Sequence, residues 1–219
     1  MLRILGKATS INVRKVLWTC RELGLAFERE DWGSGFRPLQ DPAFLALNPN
    51  AMVPVLVDSN PGNPGNPAEL ALWESNTICR YLATRYDTGE PDSLLPRDPA
   101  ARARVEQWMD WQATELNNAW RYAFMALVRG SDAHRDTAQV AASCAGWNRH
   151  MGILARQLDH TGAFVAGASF SLADVVLGLS ANRWLMTPMK REAYPAVDAW
   201  LARLEERPGF GEFCRNGIP

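Results

Sequence analysis

The sequence predicts two parts of different fold class: an α/β domain with the element order βαβ-ββα, followed by an all-helical domain. Short β-branched runs alternate with amphipathic segments before residue 87, whereas the apolar positions after residue 98 recur at helical spacing. Between them, glycine and prolines cluster as they do in linkers. We therefore expect a first domain over residues 1–86, a linker over 87–98 and a helical domain over 99–219.

The first three elements read as strand, helix and strand. Leu2–Leu5 is a short apolar run that predicts a strand, and apolar residues then recur at helical spacing from Val13 to Leu23. Gly24 follows this pattern, as glycine commonly does after the last turn of a helix. The next run, Leu25–Asp31, predicts the second strand.

The second half of the first domain reads as helix, strand, strand, helix. Asp41-Pro42 is typical of a helix start, with an acidic N-cap before proline, and Asn48-Pro49 is expected to close that helix. Val53–Val57 is β-branched and can pair with Leu70–Trp73. Glu74-Ser75 then precedes a third helical pattern. The order is therefore βαβ-ββα.

Two further segments have local explanations. Asn60–Pro67 repeats Pro, Gly and Asn, which excludes a helix and predicts a long hairpin loop to which we assign no chemistry. Ser171-Leu172-Ala173-Asp174 has the spacing of a capping box, in which the acidic side chain reaches back to the cap amide. We expect this second motif to stabilise a helix and not to catalyse a reaction.

Composition narrows the function. The chain of 219 residues has a formal net charge of -1 and a pI near 6.3, so we expect neither nucleic acid nor an anionic membrane as a partner. Neither a signal peptide nor a membrane-spanning stretch is apparent, which favours a cytoplasmic protein. The cysteines are widely spaced and are expected to be buried thiols: Cys20, Cys79, Cys144 and Cys214. The histidines have no ligand spacing and are expected at the surface, so no metal is predicted: His134, His150 and His160.

Four motifs appear in one order along the chain: Ser10–Arg14, Asn48–Pro54, Trp73–Asn76 and Ser171–Asp174. Together with the predicted topology, they resemble the cytosolic glutathione transferases, in particular the serine/asparagine-type bacterial branch that is close to the theta and beta classes. The resemblance spans nearly the whole chain. It implies a thioredoxin-like first domain, glutathione as co-substrate and a homodimer.

The resemblance places glutathione on the first domain. A cis peptide at Val53-Pro54, as in the family, would let Val53 pair with the extended backbone of glutathione, although Pro54 can equally begin a strand in trans. Ser75 lies at a helix N-terminus that can hold a carboxylate, and Glu74 would face the ligand's ammonium group. An ordinary N-cap is the alternative for Ser75. The remaining expected contacts are Asn76, Met52, Arg37 and Gln40.

Ser10 and Asn12 are the candidates for activating the glutathione thiol. A thiol with a pKa of about 8.5 is only a few per cent ionised at pH 7, and lowering that pKa by two units takes about 2.7 kcal/mol. A charge-assisted hydrogen bond at a helix N-terminus can supply this energy. Asn12 stands where many family members have proline, and the two residues can share the role. Alternatively, Ser10 caps the helix and Asn12 makes a turn. A tyrosine mechanism is disfavoured because no tyrosine precedes Tyr81.

The second substrate is expected between the domains, against the long helix after the linker. The candidates for an aromatic pocket, which would more commonly be core residues, are Trp111, Trp120, Arg121 and Phe124. The predicted function is conjugation of reduced glutathione to a small hydrophobic electrophile, as in detoxification. The alternatives are glutathione-dependent reduction of a peroxide or disulfide, and a non-enzymatic glutathione-binding or scaffold protein.

Overall fold

The computed structural model describes residues 1–62, 69–89 and 93–219. The remainder of the predicted 60–67 loop and the centre of the predicted linker lie outside these residues. The first part contains a mixed sheet with the spatial order β2-β1-β3-β4. Its strands are β1 Leu2–Leu5, β2 Phe27–Glu30, β3 Val55–Asp58 and β4 Leu70–Trp73. The predictions for the first and fourth strands are confirmed at both ends.

The sheet is parallel on one side and antiparallel on the other. Strand β1 pairs in parallel with β2, in the register Leu2 to Phe27, because a helix connects them. Strand β3 runs antiparallel to β1, with Leu2 opposite Asp58, and β4 runs antiparallel to β3. The helices of this part are α1 Ile11–Glu22, α2 Pro42–Leu45 and α3 Ser75–Tyr86. The predicted βαβ-ββα order is confirmed.

The second part is helical throughout its described residues. Its helices are α4 Pro99–Trp111, α5 Asn117–Leu127, α6 Thr137–Thr161, α7 Leu172–Met186 and α8 Pro195–Leu204. The single long helix expected after the linker runs through α4 and α5 with a π-helical segment, Gln112–Leu116, between them. Such wide turns are frequent at functional sites. Along the described stretches, no helix is both long and apolar enough to cross a membrane.

Trp18 of α1 fixes the first part against the second. Its side chain is fully buried, its indole nitrogen donates to Glu22 Oε1 at 2.7 Å, and its ring lies 5.7 Å from that of Phe210. A Cβ atom added at Gly209 would lie 2.1 Å from Trp18 Cδ1, and one at Gly178 would lie 3.2 Å from the same ring. Glycine is therefore required at Gly209, since any side chain there overlaps the indole.

Two sequence expectations about side-chain burial are wrong. His150 is buried, 8% exposed, and its Nδ1 lies 2.7 Å from the Gly146 carbonyl oxygen one turn earlier in α6. Cys144 is only half-buried, whereas the other three cysteines are buried as expected. Both errors fall on α6, where α5 and α8 pack and decide which face is covered.

Candidate functional site

A cleft in the first part collects most of the predicted glutathione contacts. It is lined by Asn12, Asn48, Asn50, Met52, Val53, Pro54, Glu74 and Ser75. These residues come from the start of α1, the loop before β3 and the junction of β4 with α3. The sheet order explains why these three segments lie close together: β3 and β4 are adjacent, and α1 follows β1, which is the neighbour of β3.

The Val53-Pro54 peptide bond is cis. Pro54 is buried and immediately precedes β3, so its missing N–H interrupts no ladder bond. Within the described parts of the chain, no residue hydrogen-bonds to the Val53 backbone. Its N–H and C=O are thus free to pair with an extended peptide in the cleft.

Asn48 shapes the loop that carries Val53. This buried side chain donates from Nδ2 to the Met52 carbonyl oxygen at 2.8 Å. Its Oδ1 accepts from the Asn50 backbone N–H at 3.0 Å and from Asn50 Nδ2 at 3.1 Å. From the sequence, Asn48 is expected to close a helix and to begin the Asn48–Pro54 motif, without a role for its side chain. Its spacing to Met52, four residues, was the available signal for a side chain that folds the loop back.

Glu74 adopts a left-handed backbone conformation, with φ 69°, just before α3 begins. Such a conformation is costly for a residue with a side chain and is concentrated at binding sites. Glu74, the N-cap residue, is exposed and makes no side-chain cap bond, while Ser75 is buried, and within the described residues no hydrogen bond to its hydroxyl is found. The first N–H groups of α3 and this hydroxyl therefore remain available to an anion.

Asn76 points away from the cleft. Its Nδ2 donates to the Met109 carbonyl oxygen at 2.8 Å, and its Oδ1 accepts from Lys15 Nζ at 3.2 Å. Only its backbone is available to a ligand at the N-terminus of α3. Lys15 is buried, and the sequence gives no signal for its contacts, since its acceptors lie 61 and 97 residues further along the chain.

Arg37 and Gln40 lie outside the residues that line the cleft. Arg37 donates to Glu30 Oε2 at 3.3 Å and its guanidinium lies 5.3 Å from the ring centroid of Trp32. Gln40 is exposed on the loop before α2. The structure thus brings together Val53, Pro54, Met52, Glu74 and Ser75, and it does not place Arg37 or Gln40 among the residues that line this cleft.

Ser10 and Asn12 stand at the N-terminus of α1. Ser10 is the N-cap residue, is half-buried, and makes no side-chain bond to the helix, whereas its carbonyl oxygen accepts from Arg14 N–H at 2.9 Å. Asn12 is half-buried and lines the cleft, but Ser10 does not. Both side chains lie where α1 presents its free N–H groups, which favour an anion such as a thiolate.

The predicted aromatic residues fall into two groups. Trp120 and Phe124 are neighbours in α5, with ring centroids 5.4 Å apart. Trp111 instead lies 5.1 Å from Trp108 and 5.7 Å from His150. Arg121 is exposed.

Arg183 of α7 joins the first aromatic group. Its guanidinium lies 4.7 Å from the Trp120 centroid and 4.1 Å from that of Phe124, within cation–π distance. Burial, with Arg14 and Arg129 nearby, lowers the pKa of this guanidinium. The sequence carried no signal for this contact because Arg183 lies inside an apolar helix some sixty residues away.

The comparisons with known proteins agree on one family. The glutathione S-transferase N-terminal domain matches residues 9–85, and the glutathione S-transferase C-terminal domain matches residues 137–203. The chain is 36% identical over 208 residues to glutathione S-transferase GstB of Escherichia coli, covering 95% of each protein. The chain belongs to the glutathione S-transferase family.

Two more relatives agree with this assignment. Glutathione S-transferase 3 of Zea mays is 31% identical, with 95% of this chain and 91% of the maize protein covered. The crystal structure of the theta class glutathione S-transferase from Xanthomonas axonopodis pv. citri with glutathione bound matches with a TM-score of 0.84 at 35% identity. That match covers 100% of this chain and 99% of the other. The thioredoxin-like first part and the helical second part of this transferase follow the family fold.

Proposed function

We propose that this glutathione S-transferase conjugates reduced glutathione to a small hydrophobic electrophile. The observation that carries the proposal is one cleft that holds both the unpaired backbone of Val53 and the free N-terminus of α3. Val53 pairs with the cysteinyl backbone of glutathione, Ser75 receives the γ-glutamyl carboxylate, and Glu74 receives the ammonium group. A zwitterionic, extended peptide satisfies all three at once.

We propose four further glutathione contacts, of which only Met52 lines the cleft. Met52 lines the cleft and is 60% exposed, so it offers apolar surface and a backbone carbonyl next to the ligand. Asn76 contributes its backbone N–H, because its side chain is already bonded. Arg37 and Gln40 are proposed for the glycyl carboxylate, which is the end of the ligand furthest from α3.

The proposed chemistry begins with the thiol. Ser10 and Asn12, with the N–H groups of α1, stabilise the thiolate, and the thiol proton leaves to solvent. The sulfur then attacks an electrophilic carbon, so that a C–S bond forms as the leaving group departs with its electron pair. Of the two side chains, Asn12 has the more direct support because it lines the cleft.

The electrophile is proposed to bind against the helical part, beside the aromatic residues. Trp120 and Phe124 are adjacent rings at the edge of the core, both buried, Trp111 lies one helical segment earlier, and Arg121 is exposed nearby in sequence. A pocket with aromatic walls suits small apolar compounds such as chlorinated aromatics.

The proposal also covers the domain boundaries, the subunit assembly and the location of the protein. We propose a glutathione-binding domain over residues 1–86, a linker over 87–98 and a helical domain over 99–219, in a cytoplasmic homodimer. The edge strand β4 has no neighbour on one side among the described strands, and Trp73 at its end is 40% exposed. An edge and an exposed indole are features that a partner subunit covers. Light scattering should give twice the chain mass, and a monomer at working concentration would exclude this assembly.

Calorimetric titration with glutathione, beside a conjugation assay with a chlorinated nitroaromatic, tests the function. We expect Asn12→Ala and Ser10→Ala to bind glutathione yet lower kcat/KM by about 10–100-fold, since each removes part of the thiolate stabilisation. Thr9→Ala, an exposed neighbour, should match the native enzyme. Tight binding without turnover on a broad panel of electrophiles would favour a carrier, and absence of binding would favour a scaffold.

A further inference from the structure

Lys15 is a buried cation without an acidic partner. Its side chain in α1 is 1% exposed, and Nζ donates to Gln112 Oε1 at 2.7 Å and to Asn76 Oδ1 at 3.2 Å. Both acceptors are neutral amides. Throughout the described segments, no carboxylate lies within ion-pair distance of this ammonium group.

The ionisable groups around Lys15 leave the site positive. The Cys79 thiol of α3 is buried, which raises its pKa to about 11, so it is neutral at pH 7. Arg183 of α7 adds a second positive charge, and Glu74 at the head of α3 is the acidic group that acts on Lys15. The other neighbour, Gln112 in the π-helical segment, is neutral, and its Nε2 donates hydrogen bonds to Ser180 Oγ and Asn117 Oδ1.

The hydrogen bond to Asn76 brings this charge beneath the candidate site. Asn76 is the second residue of α3, directly after Ser75, which lines the cleft. Glu74, one residue earlier, carries a negative charge on the same rim. A carboxylate bound there meets both the positive helix N-terminus and the repulsion of Glu74.

We propose that Lys15 is a positioning residue for the carboxylate subsite: it fixes Asn76 and supplies the positive potential that lets an α-amino-acid carboxylate bind beside Glu74. The inference rests on the proposed function, because the ligand is the γ-glutamyl end of glutathione. Lys15 does not touch this ligand. It acts through Asn76 and through its field, which the buried surroundings screen less than water does.

The test compares two ligands on native protein and Lys15→Met by calorimetry. One ligand is glutathione, and the other is γ-aminobutyryl-cysteinyl-glycine, which lacks the α-carboxylate. We expect Lys15→Met to weaken glutathione binding about tenfold, because it removes a unit positive charge that acts on the ligand carboxylate through surroundings with an effective dielectric of about 20. Binding of the analogue should change by less than about twofold, because it has no carboxylate at this subsite.

A second variant removes the net charge and keeps Lys15. Gln112→Glu places a carboxylate against Nζ, keeps the hydrogen bond from Lys15 and loses the two donations to Ser180 and Asn117, and it should produce the same selective loss of glutathione affinity. Gln107→Glu, an exposed position of α4, is the matched control and should bind both ligands as the native protein does. If Lys15→Met does not fold, Gln112→Glu decides the question.

The outcomes separate this inference from the function. Equal loss for the two ligands in both variants would overturn it, because a merely structural role weakens every ligand alike. Unchanged affinity for glutathione in both variants would overturn it too. If the native protein binds neither ligand, the proposed function fails, and the subsite fails with it.

Discussion

Asp174 and Lys15 are both fully buried charged residues, but their surroundings differ. The Asp174 carboxylate accepts four hydrogen bonds, whereas the Lys15 ammonium donates two to neutral amides and retains a third N–H. Asp174 accepts from the Val165 N–H at 2.9 Å, Trp200 Nε1 at 2.9 Å, the Ser171 N–H at 3.0 Å and Ser171 Oγ at 2.9 Å. A buried charged group whose hydrogen-bonding sites are all occupied stabilises the fold. A buried charged group near a cleft that keeps a free hydrogen-bonding site can act on a ligand.

Burial perturbs both groups in the direction of the neutral form. It raises the pKa of Asp174 to about 6 despite the four donors, and it lowers the pKa of Lys15 to about 8. The comparison can be tested by removing the Asp174 carboxylate from its four donors, or by changing the charge state or the acceptors of Lys15.

Asp174→Ala should have the largest effect. It leaves four buried donors from three segments without an acceptor, so we expect a loss of about 3–5 kcal/mol in the free energy of unfolding. Urea denaturation followed by tryptophan fluorescence measures this loss. A loss below about 1 kcal/mol would show that the cluster is not a structural centre.

Lys15 should give a pH dependence of stability. Because its folded-state pKa, about 8, lies below the unfolded value of about 10.4, the unfolded state binds more protons between these values, and stability rises with pH. From pH 7 to pH 10.5, native protein should gain about 3 kcal/mol relative to Lys15→Met. Urea melts of both proteins at each pH measure the difference, which cancels the titration of the cysteines. A constant difference would mean that Lys15 is not perturbed.

Gln112→Leu should have an intermediate effect. It removes the closer acceptor of Lys15 and the donor to Ser180 Oγ at 3.0 Å, which costs about 2 kcal/mol of stability. Gln107→Leu is exposed and should stay within about 0.5 kcal/mol of the native protein. Thermal unfolding of the two variants compares them directly, and equal melting temperatures would contradict the importance of the network.

Ser171→Ala should have the smallest effect. Asp174 keeps three of its four donors, and the loss of one cap residue typically costs about 1 kcal/mol. Glutathione affinity should not change, since this cluster lies outside the cleft. A Ser171→Ala variant with weakened glutathione binding would show that the two buried charges are coupled.

The features that the sequence predicts correctly depend on residues that are close together in the chain. The bounds of Leu2–Leu5, the Asp41 cap bond to Ala43 N–H at 2.8 Å and the return of Asp174 to Ser171 depend on neighbours a few residues away. The resemblance supplied the cis peptide at Val53-Pro54, which the residues alone left open between cis and trans. Lys15 could not be predicted, because both acceptors come from distant helices that meet only in the folded chain.

The errors have the same origin. The expectations for His150 and Cys144 depend on residue type and spacing, whereas their burial depends on which face of α6 is covered by its neighbours. The left-handed Glu74 was also out of reach, since acidic residues rarely adopt that conformation without a tertiary reason. Properties of a site that arise from helix packing need the three-dimensional structure.

The packing of Trp18 against Gly178 and Gly209 limits which relatives can exchange one of their two parts with this chain. A chimaera that joins the first part of this chain to another transferase's helical part must bring glycine at the position that meets the indole, because even a methyl group overlaps it. We therefore expect the two halves of this chain to be exchangeable only as a matched pair at these positions. Such a chimaera can therefore fail to fold because of one packing position outside the cleft, however similar the two cleft walls are.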